Sequence, residues 1–483
     1  MEDIILLIRP HAQMLDPDYD DGTGLRATSA RGNQEYQPLG ICYLAGMLKK
    51  HHFNVKCFDF HTPAETVQDM LRFIKQGTVK FIGIYVLISD VHAIARLIKL
   101  IRQNCDVPIV LGGPTVTHYP QTVKELHADY GLRGDAEYSM LALSRFVLNH
   151  EGGLKSIAGI VHYKGAEPYV AEPVVISDLD ELPFPDFSVL PDSSHYKFPM
   201  LEGKIAVMAS SRGCPFNCLF CGLTQKKKFK YRSPENVVAE LQTLANEGYR
   251  YVDFRDDCFT ANQERIKEIC RLMIEKKLNI MWGVETRIDC VDDDLLELMA
   301  KSGCHNIRFG IETIVPRVKK VVNETSDLGN LEHVIKKLKQ LRVFSVAYFL
   351  IGHPTETIDE IRQTLDFVAG SNFDIVDINM CQIFPGADLF DLAKKEGMIG
   401  DDYLQGIIAT GKIPMYIPRG LNFDELQRLK KRTMLKFYLR PRNMINFLRR
   451  IKSLRDLARQ FSVAVELVAW NLFGLRFKDS RRQ

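Results

Sequence analysis

Apolar and polar positions along this chain alternate in two long blocks of strand-like and helix-like segments. In the first, IILLIRP is short, continuous and β-branched, the pattern of a buried strand. Leu39, Tyr43, Leu44, Met47 and Leu48 follow at helical spacing over Leu39–Lys50. NVKCFDF then reads as a strand, 63–75 as a helix, VKFIGIYVLIS as a strand, and an Ile- and Leu-rich stretch through Ile101 as a helix. VPIVLGG is a fourth strand and DYGLRG a short fifth. Strands alternating with helices of about ten to fifteen residues predict βαβ units and a parallel, doubly wound, Rossmann-like sheet over 1–150. Ligands of such sheets sit at the carboxyl ends of the strands.

The second block runs over 204–400. Its strand-like runs are KIAVMASS, YRYVDFRD, NIMWGVET, HNIRFGIE, FSVAYFLIG and FDIVDINM, separated by helical segments such as Pro234–Asn246, 295–301 and 328–341. Six βα units without a strong internal repeat predict a partial or full β/α barrel, with its site at the strand C-termini. Between the blocks, 151–203 reads as a connector, because Pro183 and Pro185 in DELPFPDF break regular structure. The remainder, 401–483, reads as a helical extension interrupted at Pro441. The expected fold class is therefore α/β: a Rossmann-like domain, a (β/α)6 partial barrel and a helical C-terminal region.

The length of 483 residues agrees with about three units at roughly 150 residues each. The composition, 46% hydrophobic and 25% charged, is globular and shows no disordered bias. No apolar run reaches the ~18 residues of a membrane span; 461–475 is short and carries Glu466. MEDIILLIRP opens with acids and lacks a basic n-region, so no secretory signal and a cytoplasmic location are expected. The net charge of +3 conceals an asymmetry: 421–483 holds 16 Lys/Arg against 5 Asp/Glu, a net of +11 that leaves −8 for 1–420.

Eleven cysteines, an odd number without an export signal, argue against a disulfide framework. Eight are scattered and read as small buried hydrophobes, Cys258 and Cys290 among them. The other three, Cys214, Cys218 and Cys221, stand together in SRGCPFNCLFCGL, directly after the first strand of the second block. Structural zinc wants four ligands, usually as two pairs, and no second pair follows. Three thiolates suit a [4Fe–4S] cluster with one iron left open for substrate chemistry.

This C-x3-C-x2-C run at the end of a first barrel strand resembles the radical S-adenosylmethionine superfamily. The resemblance implies that Cys214, Cys218 and Cys221 hold three irons. It also implies that the fourth iron chelates S-adenosylmethionine, whose cleavage yields a 5′-deoxyadenosyl radical. It places Phe220 near the adenine, and Asp256 and Asp257 of FRDDCFT at the methionine amino group, although a helix N-cap explains such aspartates equally well. Arg287 in VETRID is implied as a bidentate partner of the methionine carboxylate. Glu312 in FGIET is implied at the ribose, and IGHPTET with Gly352 closes the fifth strand in the family manner, as FPGADLF closes the sixth.

The first block resembles the cobalamin-binding domains attached to many such enzymes. Gly40 in PLG, Ser89 in IGIYVLIS, Gly112, Gly113 and Thr115 in and after VLGGP, and Gly134 and Glu137 in RGDAE are the implied contacts. Glycine lets a turn approach a large flat ligand closely; an ordinary Rossmann-like domain would carry similar turns. Asp90–Val91–His92 mimics a cobalt-ligating D-x-H but follows the third strand rather than the first. Gln37 occupies the slot where a lower axial histidine would stand, so the resemblance implies cobalt without histidine below it. His92 is then an ordinary polar residue of the third helix.

Two enzyme readings follow from the combined resemblance. One is methylation of an unactivated carbon; the alternative is an oxidative cyclisation or rearrangement of the anaerobic magnesium-protoporphyrin monomethyl ester cyclase kind. A third class, a non-catalytic cobalamin or iron–sulfur sensor, lacks any DNA-reading motif. Expected partners are a flavodoxin- or ferredoxin-type electron donor and a small-molecule substrate, lipid- or porphyrin-like, with no nucleic acid. For the basic tail two readings stand: a helical cap on the barrel, or a peripheral, salt-sensitive contact at the inner face of a membrane.

Overall fold

The computed structural model describes residues 3–15, 36–165, 167–196, 201, 203–223 and 225–448, the last four in backbone only. The first sheet is built from β1 (Ile4–Arg9), β2 (Asn54–Asp59), β3 (Val79–Tyr85), β4 (Ile109–Gly112) and β5 (Tyr130–Leu132), parallel and in the order 2-1-3-4-5. That order changes direction between β1 and β3, the switch point at which doubly wound sheets bind ligands. The intervening helices are α1 (Leu39–Lys50), α2 (Val67–Ile74), α3 (Val91–Arg102), α4 (Pro114–His118), α5 (Thr122–Glu125) and α6 (Glu137–Asn149). α2 starts later than its apolar pattern predicts, because Thr66 and Asp69 form a capping box there.

Two further strands, β6 (Ile160–Lys164) and β7 (Glu167–Val170), extend this sheet as an antiparallel hairpin. They fall inside the stretch read as connector. Their alternation is short and half-exposed, which gives a weak strand signal.

The second sheet is parallel and strictly sequential: β8 (Lys204–Met208), β11 (Tyr249–Phe254), β12 (Met281–Thr286), β13 (Cys304–Glu312), β14 (Phe344–Ile351) and β15 (Ile375–Met380). β8 and β15 are its two edges and do not pair, so the barrel is open. A small antiparallel ribbon, β9 (Ser211–Arg212) with β10 (Lys230–Tyr231), closes the loop after β8. Outside the sheet lie α7 (Pro234–Asn246), α8 (Gln263–Glu275), α9 (Asp293–Lys301), α10 (Pro316–Val321), α11 (Leu331–Leu341) and α12 (Ile358–Gly370). Their apolar stripes, with Leu241, Ile266, Leu295, Leu338 and Leu365, bury against the outer face of the strands.

The chain then returns to the first domain. α13 (Asp388–Lys395) and α14 (Tyr403–Thr410) bring Leu389, Tyr403, Leu404 and Ile407 into one apolar cluster with Ile94, Leu97 and Val116. The boundary drawn at 400 cuts through this unit. His92, on α3, is held by α14: its ring Nδ1 lies 2.6 Å from the Ile408 carbonyl oxygen.

α15 (Phe423–Tyr438) buries Leu426, Met434 and Phe437 in the core of the open barrel, as a cap does, and α16 (Pro441–Leu448) follows. The tail beyond 448 lies outside the described residues. Among the described residues no helix is long and apolar enough to cross a membrane.

Candidate functional site

The three clustered cysteines occupy the loop between β9 and β10, at the C-terminal end of β8. Gly213, at φ +79, lets this loop turn where a Cβ would meet the Lys228 carbonyl oxygen at 2.4 Å. The loop is pinned from several sides: Lys227 N donates to Cys214 O (2.8 Å), Leu219 N to Val322 O (2.9 Å), and Leu389 N to Leu219 O (2.9 Å). Phe216 lies under the guanidinium of Arg287, 3.7 Å from its carbon.

All three thiols are half-buried and free. Burial pushes Cys214 and Cys218 up to about 12 and raises Cys221 as well. A metal must therefore displace protons to bind them. Among the described residues no three His, Cys, Asp or Glu side chains converge on a point that could hold a single metal ion. Cysteines of an iron–sulfur cluster each take a different iron, so the triplet suits a multi-iron group rather than one ion.

Above the loop, the C-terminal ends of β11 to β15 carry the residues expected at S-adenosylmethionine. Asp256 and Asp257 do different things. Asp256 is buried, and its carboxylate accepts from Ser210 N (2.8 Å), Ser210 Oγ (2.6 Å) and Ser211 Oγ (2.5 Å). It ties the end of β11 to the end of β8 and has no oxygen left to offer a ligand. Asp257 accepts from the Gly213 N–H; burial, then the Asp256 charge, pushes its carboxyl up to about 6.

Arg287 is likewise committed: Nε and Nη2 fork onto Asp289 (3.0 and 2.8 Å) and Nη1 bonds Glu324 (2.8 Å). The carboxylate pairing expected of it is taken up inside the protein, and its stacking on Phe216 makes it a support of the cysteine loop.

Glu312 ends β13 in a left-handed conformation, φ +62, uncommon for a non-glycine residue. Among the described residues nothing hydrogen-bonds its carboxyl. Burial, then the charge of Glu324, pushes it up to about 8. Gly352 donates its N–H to Glu356 Oε2 at 2.7 Å, as does His353 at 2.9 Å. The His353 ring lies 5.7 Å from that of Phe220, and its Nδ1 is 3.4 Å from Cys381 Sγ. Around these residues His353 Nε2, Glu356 Oε1, Asn379 Oδ1 and Gln382 Nε2 are buried without a protein partner. Orphaned polar atoms gathered at one end of a sheet fit a polar ligand such as S-adenosylmethionine.

A second concavity lies at the C-terminal ends of β1, β3, β4 and β5. It is a cavity of about 250 Å³ whose wall includes Gly40, Tyr85, Gly112, Gly113, Gly134 and Glu137. At Gly40 and Gly112 an added Cβ would meet no atom within 4 Å, so both border open space, as a cradle for a flat ligand requires. Gly134 serves packing instead: a Cβ there would fall 2.1 Å from the Val174 carbonyl oxygen.

Three expected contacts lie off this wall. Gln37 is buried and donates from Nε2 to the Ile205 carbonyl oxygen of β8 at 2.6 Å, stitching the two sheets together. Ser89 sits in a short 3-10 turn, Ile88–Asp90, and Thr115 is buried within α4. Thr117 does the organising that was expected of Thr115: its Oγ1 accepts from Gly134 N (3.0 Å) and donates to Gly113 O (3.0 Å).

Other residues went unread in the sequence. Arg212, between the strand and the cysteines, lines the cavity together with Asp135 and Tyr43. Cys258 and Cys290, read as unrelated buried hydrophobes, are neighbours: a hydrogen bond from Cys290 holds the Cys258 thiol below its ordinary value. Arg212, Asp135 and Cys258 had a local signal, since each lies inside a motif already singled out.

Comparison with known proteins finds two families in the chain. Residues 208–368 match the family model of the Radical SAM superfamily, and 26–144 that of the B12 binding domain. An uncharacterised methyltransferase of Pyrococcus horikoshii is 29% identical over 84% of this chain and 89% of its own length. The anaerobic magnesium-protoporphyrin IX monomethyl ester cyclase of Rubrivivax gelatinosus is 27% identical over 78% of this chain and 68% of its own. The fold is shared with the radical S-adenosylmethionine methyltransferase TsrM from Kitasatospora setae, solved with cobalamin and a [4Fe–4S] cluster. That match has a TM-score of 0.65 and 17% identity over 82% of this chain and 75% of that one. The chain thus joins a radical S-adenosylmethionine domain to a B12-binding domain, the pair whose cofactors are a [4Fe–4S] cluster, S-adenosylmethionine and cobalamin.

Proposed function

We propose that this enzyme transfers a methyl group to an unactivated carbon of a small molecule. The observation that carries the reading is the shared wall of the cobalamin cavity: Ala209 and Arg212, beside the cysteine loop, line it together with glycines of the first domain. Two cofactor sites joined by a short stretch of chain suit a reaction in which one makes a carbon radical and the other supplies the methyl group. Bound there, the cluster and S-adenosylmethionine supply a 5′-deoxyadenosyl radical, and cobalamin supplies the methyl group.

In this reading Cys214, Cys218 and Cys221 hold the cluster. Asp257 and Glu312 receive the amino and ribose groups of S-adenosylmethionine, and Phe220 with the Gly352 turn borders its adenine. Gly40, Gly112 and Gly113 admit the corrinoid. Asp256 and Arg287 position the loops and touch no ligand. Electrons come from a flavodoxin- or ferredoxin-type donor.

The lumen of the open barrel says something about the substrate. Arg308 donates to Asp253 (2.7 Å) and Glu285 (3.1 Å), and Arg255 to Asp253 (3.1 Å). Arg255 and Glu285 keep about a third of their side-chain surface open, 32% and 33%. A charged layer of this kind favours a substrate with ionic groups, such as the carboxylates of a porphyrin, over a bare hydrocarbon. Peripheral membrane contact through the basic tail, 421–483, belongs to the same proposal.

The alternative, an oxidative cyclisation, is favoured by the likeness to the Rubrivivax cyclase. Anaerobic turnover with methyl-labelled S-adenosylmethionine separates the two. Label in the product, with 5′-deoxyadenosine and S-adenosylhomocysteine formed together, supports methylation; product without label overturns it.

A further inference from the structure

Arg212 stands two residues before the first cysteine of the loop, yet its side chain crosses to the other domain. Nη2 donates to Glu137 Oε1 at 2.6 Å; Nη1 donates to Asp135 Oδ1 at 2.9 Å and to Glu137 Oε2 at 3.3 Å. The guanidinium also lies 5.1 Å from the centre of the Tyr43 ring. Tyr43, Asp135, Glu137 and Arg212 are all part of the cobalamin cavity wall. The opposite arm of the cysteine loop converges on the same acid: Gln225 Nε2 donates to Asp135 Oδ1 at 2.9 Å, while the Gln225 carbonyl oxygen accepts from Cys214 N. The second oxygen of Asp135 accepts from Ile176 N at 2.8 Å, which anchors it to the connector. The ionic side chains are little exposed, 18% for Arg212, 9% for Asp135 and 5% for Glu137.

Both ends of the cysteine loop are therefore fastened to one wall of the other cofactor's cavity by a buried ionic hub. Such a hub tolerates no half-made state, because a buried charge that loses its partner is costly. Whatever steadies Asp135 and Glu137 steadies Arg212, and with it Gly213 and Cys214.

We infer that Arg212 is a positioning residue that couples the two cofactor sites, so that cobalamin in its cavity orders the cysteine loop and the assembled cluster tightens cobalamin binding. The coupling is reciprocal, as linkage requires: each cofactor raises affinity for the other by the same factor, typically ~5-fold to ~150-fold. It concerns assembly of the family's cofactors and holds whether the enzyme methylates or cyclises, so failure of either reading leaves the other standing.

The test uses the full chain, cluster-free and anaerobically cluster-reconstituted. Hydroxocobalamin is titrated into each and followed by its absorbance. Iron loss to a chelator is timed with and without hydroxocobalamin. In the wild type, reconstituted protein binds at least ~5-fold tighter, and cobalamin slows iron loss. In Arg212→Met both effects vanish. Should that variant not fold, Arg212→Lys decides: it keeps the charge but cannot fork onto two carboxylates, so the affinity ratio falls well below the wild-type value. Glu137→Gln, which preserves shape, lowers the ratio in the same direction. Equal affinities in the two wild-type forms, or an undiminished ratio in Arg212→Lys and Glu137→Gln, would overturn the proposal.

Discussion

The guanidinium carbon of Arg287 lies over Phe216, 3.7 Å from its ring centre, and thereby holds the middle of the cysteine loop. Stacking of this kind is worth about 2 kcal/mol when the pair is out of water. Phe216→Ala is expected to fold and to retain less iron after reconstitution, with a weaker cluster absorbance per chain. Arg287→Lys should do the same, because an ammonium can neither stack as a plane nor fork onto Asp289. A Phe216→Ala protein with full iron content and unchanged chelator resistance would show that the stack supports nothing.

The adjacent acids Asp256 and Asp257 should separate cleanly by mutation. Asp256→Ala removes the acceptor for Ser210 N, Ser210 Oγ and Ser211 Oγ and leaves Arg265 with less compensation. The expected cost is on the order of 3 kcal/mol of stability, visible in denaturant titration of the cluster-free protein. Asp257→Asn should leave that stability within about 0.5 kcal/mol and weaken S-adenosylmethionine binding. The reverse pattern would exchange their roles.

Those two residues show where sequence reasoning reaches and where it stops. Period-2 and period-3.6 patterns mark the strands and helices well; the helix read at Pro234–Asn246 is observed with those bounds. Motif order places Asp256, Arg287 and Glu312 at successive strand ends, and the fold brings them to one cleft. A motif names a slot, however, and not the partners that fill it. Asp256 and Arg287 are consumed by serines and carboxylates that come from elsewhere in the chain, while Glu312 is left open to a ligand. Leu389, Tyr403 and Leu404 read as apolar whichever core receives them, so their docking on the first domain was invisible. The proximity of Cys258 to Cys290 depends on β11 and β12 being neighbours, which only the sheet order supplies.

Glu312 makes the cluster-free protein pH-sensitive in a definite direction. Its carboxyl titrates at about 8 in the folded chain, against an ordinary value of 4.5. Between those values the folded state holds a proton that the unfolded state has lost. The stabilising contribution is therefore complete below about pH 4.5 and is lost as pH rises towards about 8. Glu312→Gln mimics the protonated form and should flatten that slope, so the variant gains on the wild type as the pH rises. Thermal melts across this range check it; parallel curves for the two proteins would refute it. Above about pH 8, where the wild-type carboxylate is ionised, S-adenosylmethionine should bind the variant more weakly, because an amide has one acceptor oxygen for the ribose hydroxyls and not two.

The C-terminal region should divide at α16. Leu426, Met434 and Phe437 of α15 are part of the barrel core, and Tyr438 exchanges hydrogen bonds with Val376 on the edge strand β15, its OH donating to the carbonyl at 2.9 Å. Deleting 421–483 uncovers that core beside an unpaired strand edge, and the expected result is aggregation or loss of the cooperative melt. Deleting only 449–483 removes none of these contacts. It does remove a strongly basic stretch, so it also isolates the membrane question. If that stretch meets an anionic surface, full-length protein floats with anionic liposomes at low salt, comes off as salt is raised, and the 449–483 deletion stays behind. Equal flotation of the two proteins, or none by either, would rule out membrane contact through that segment.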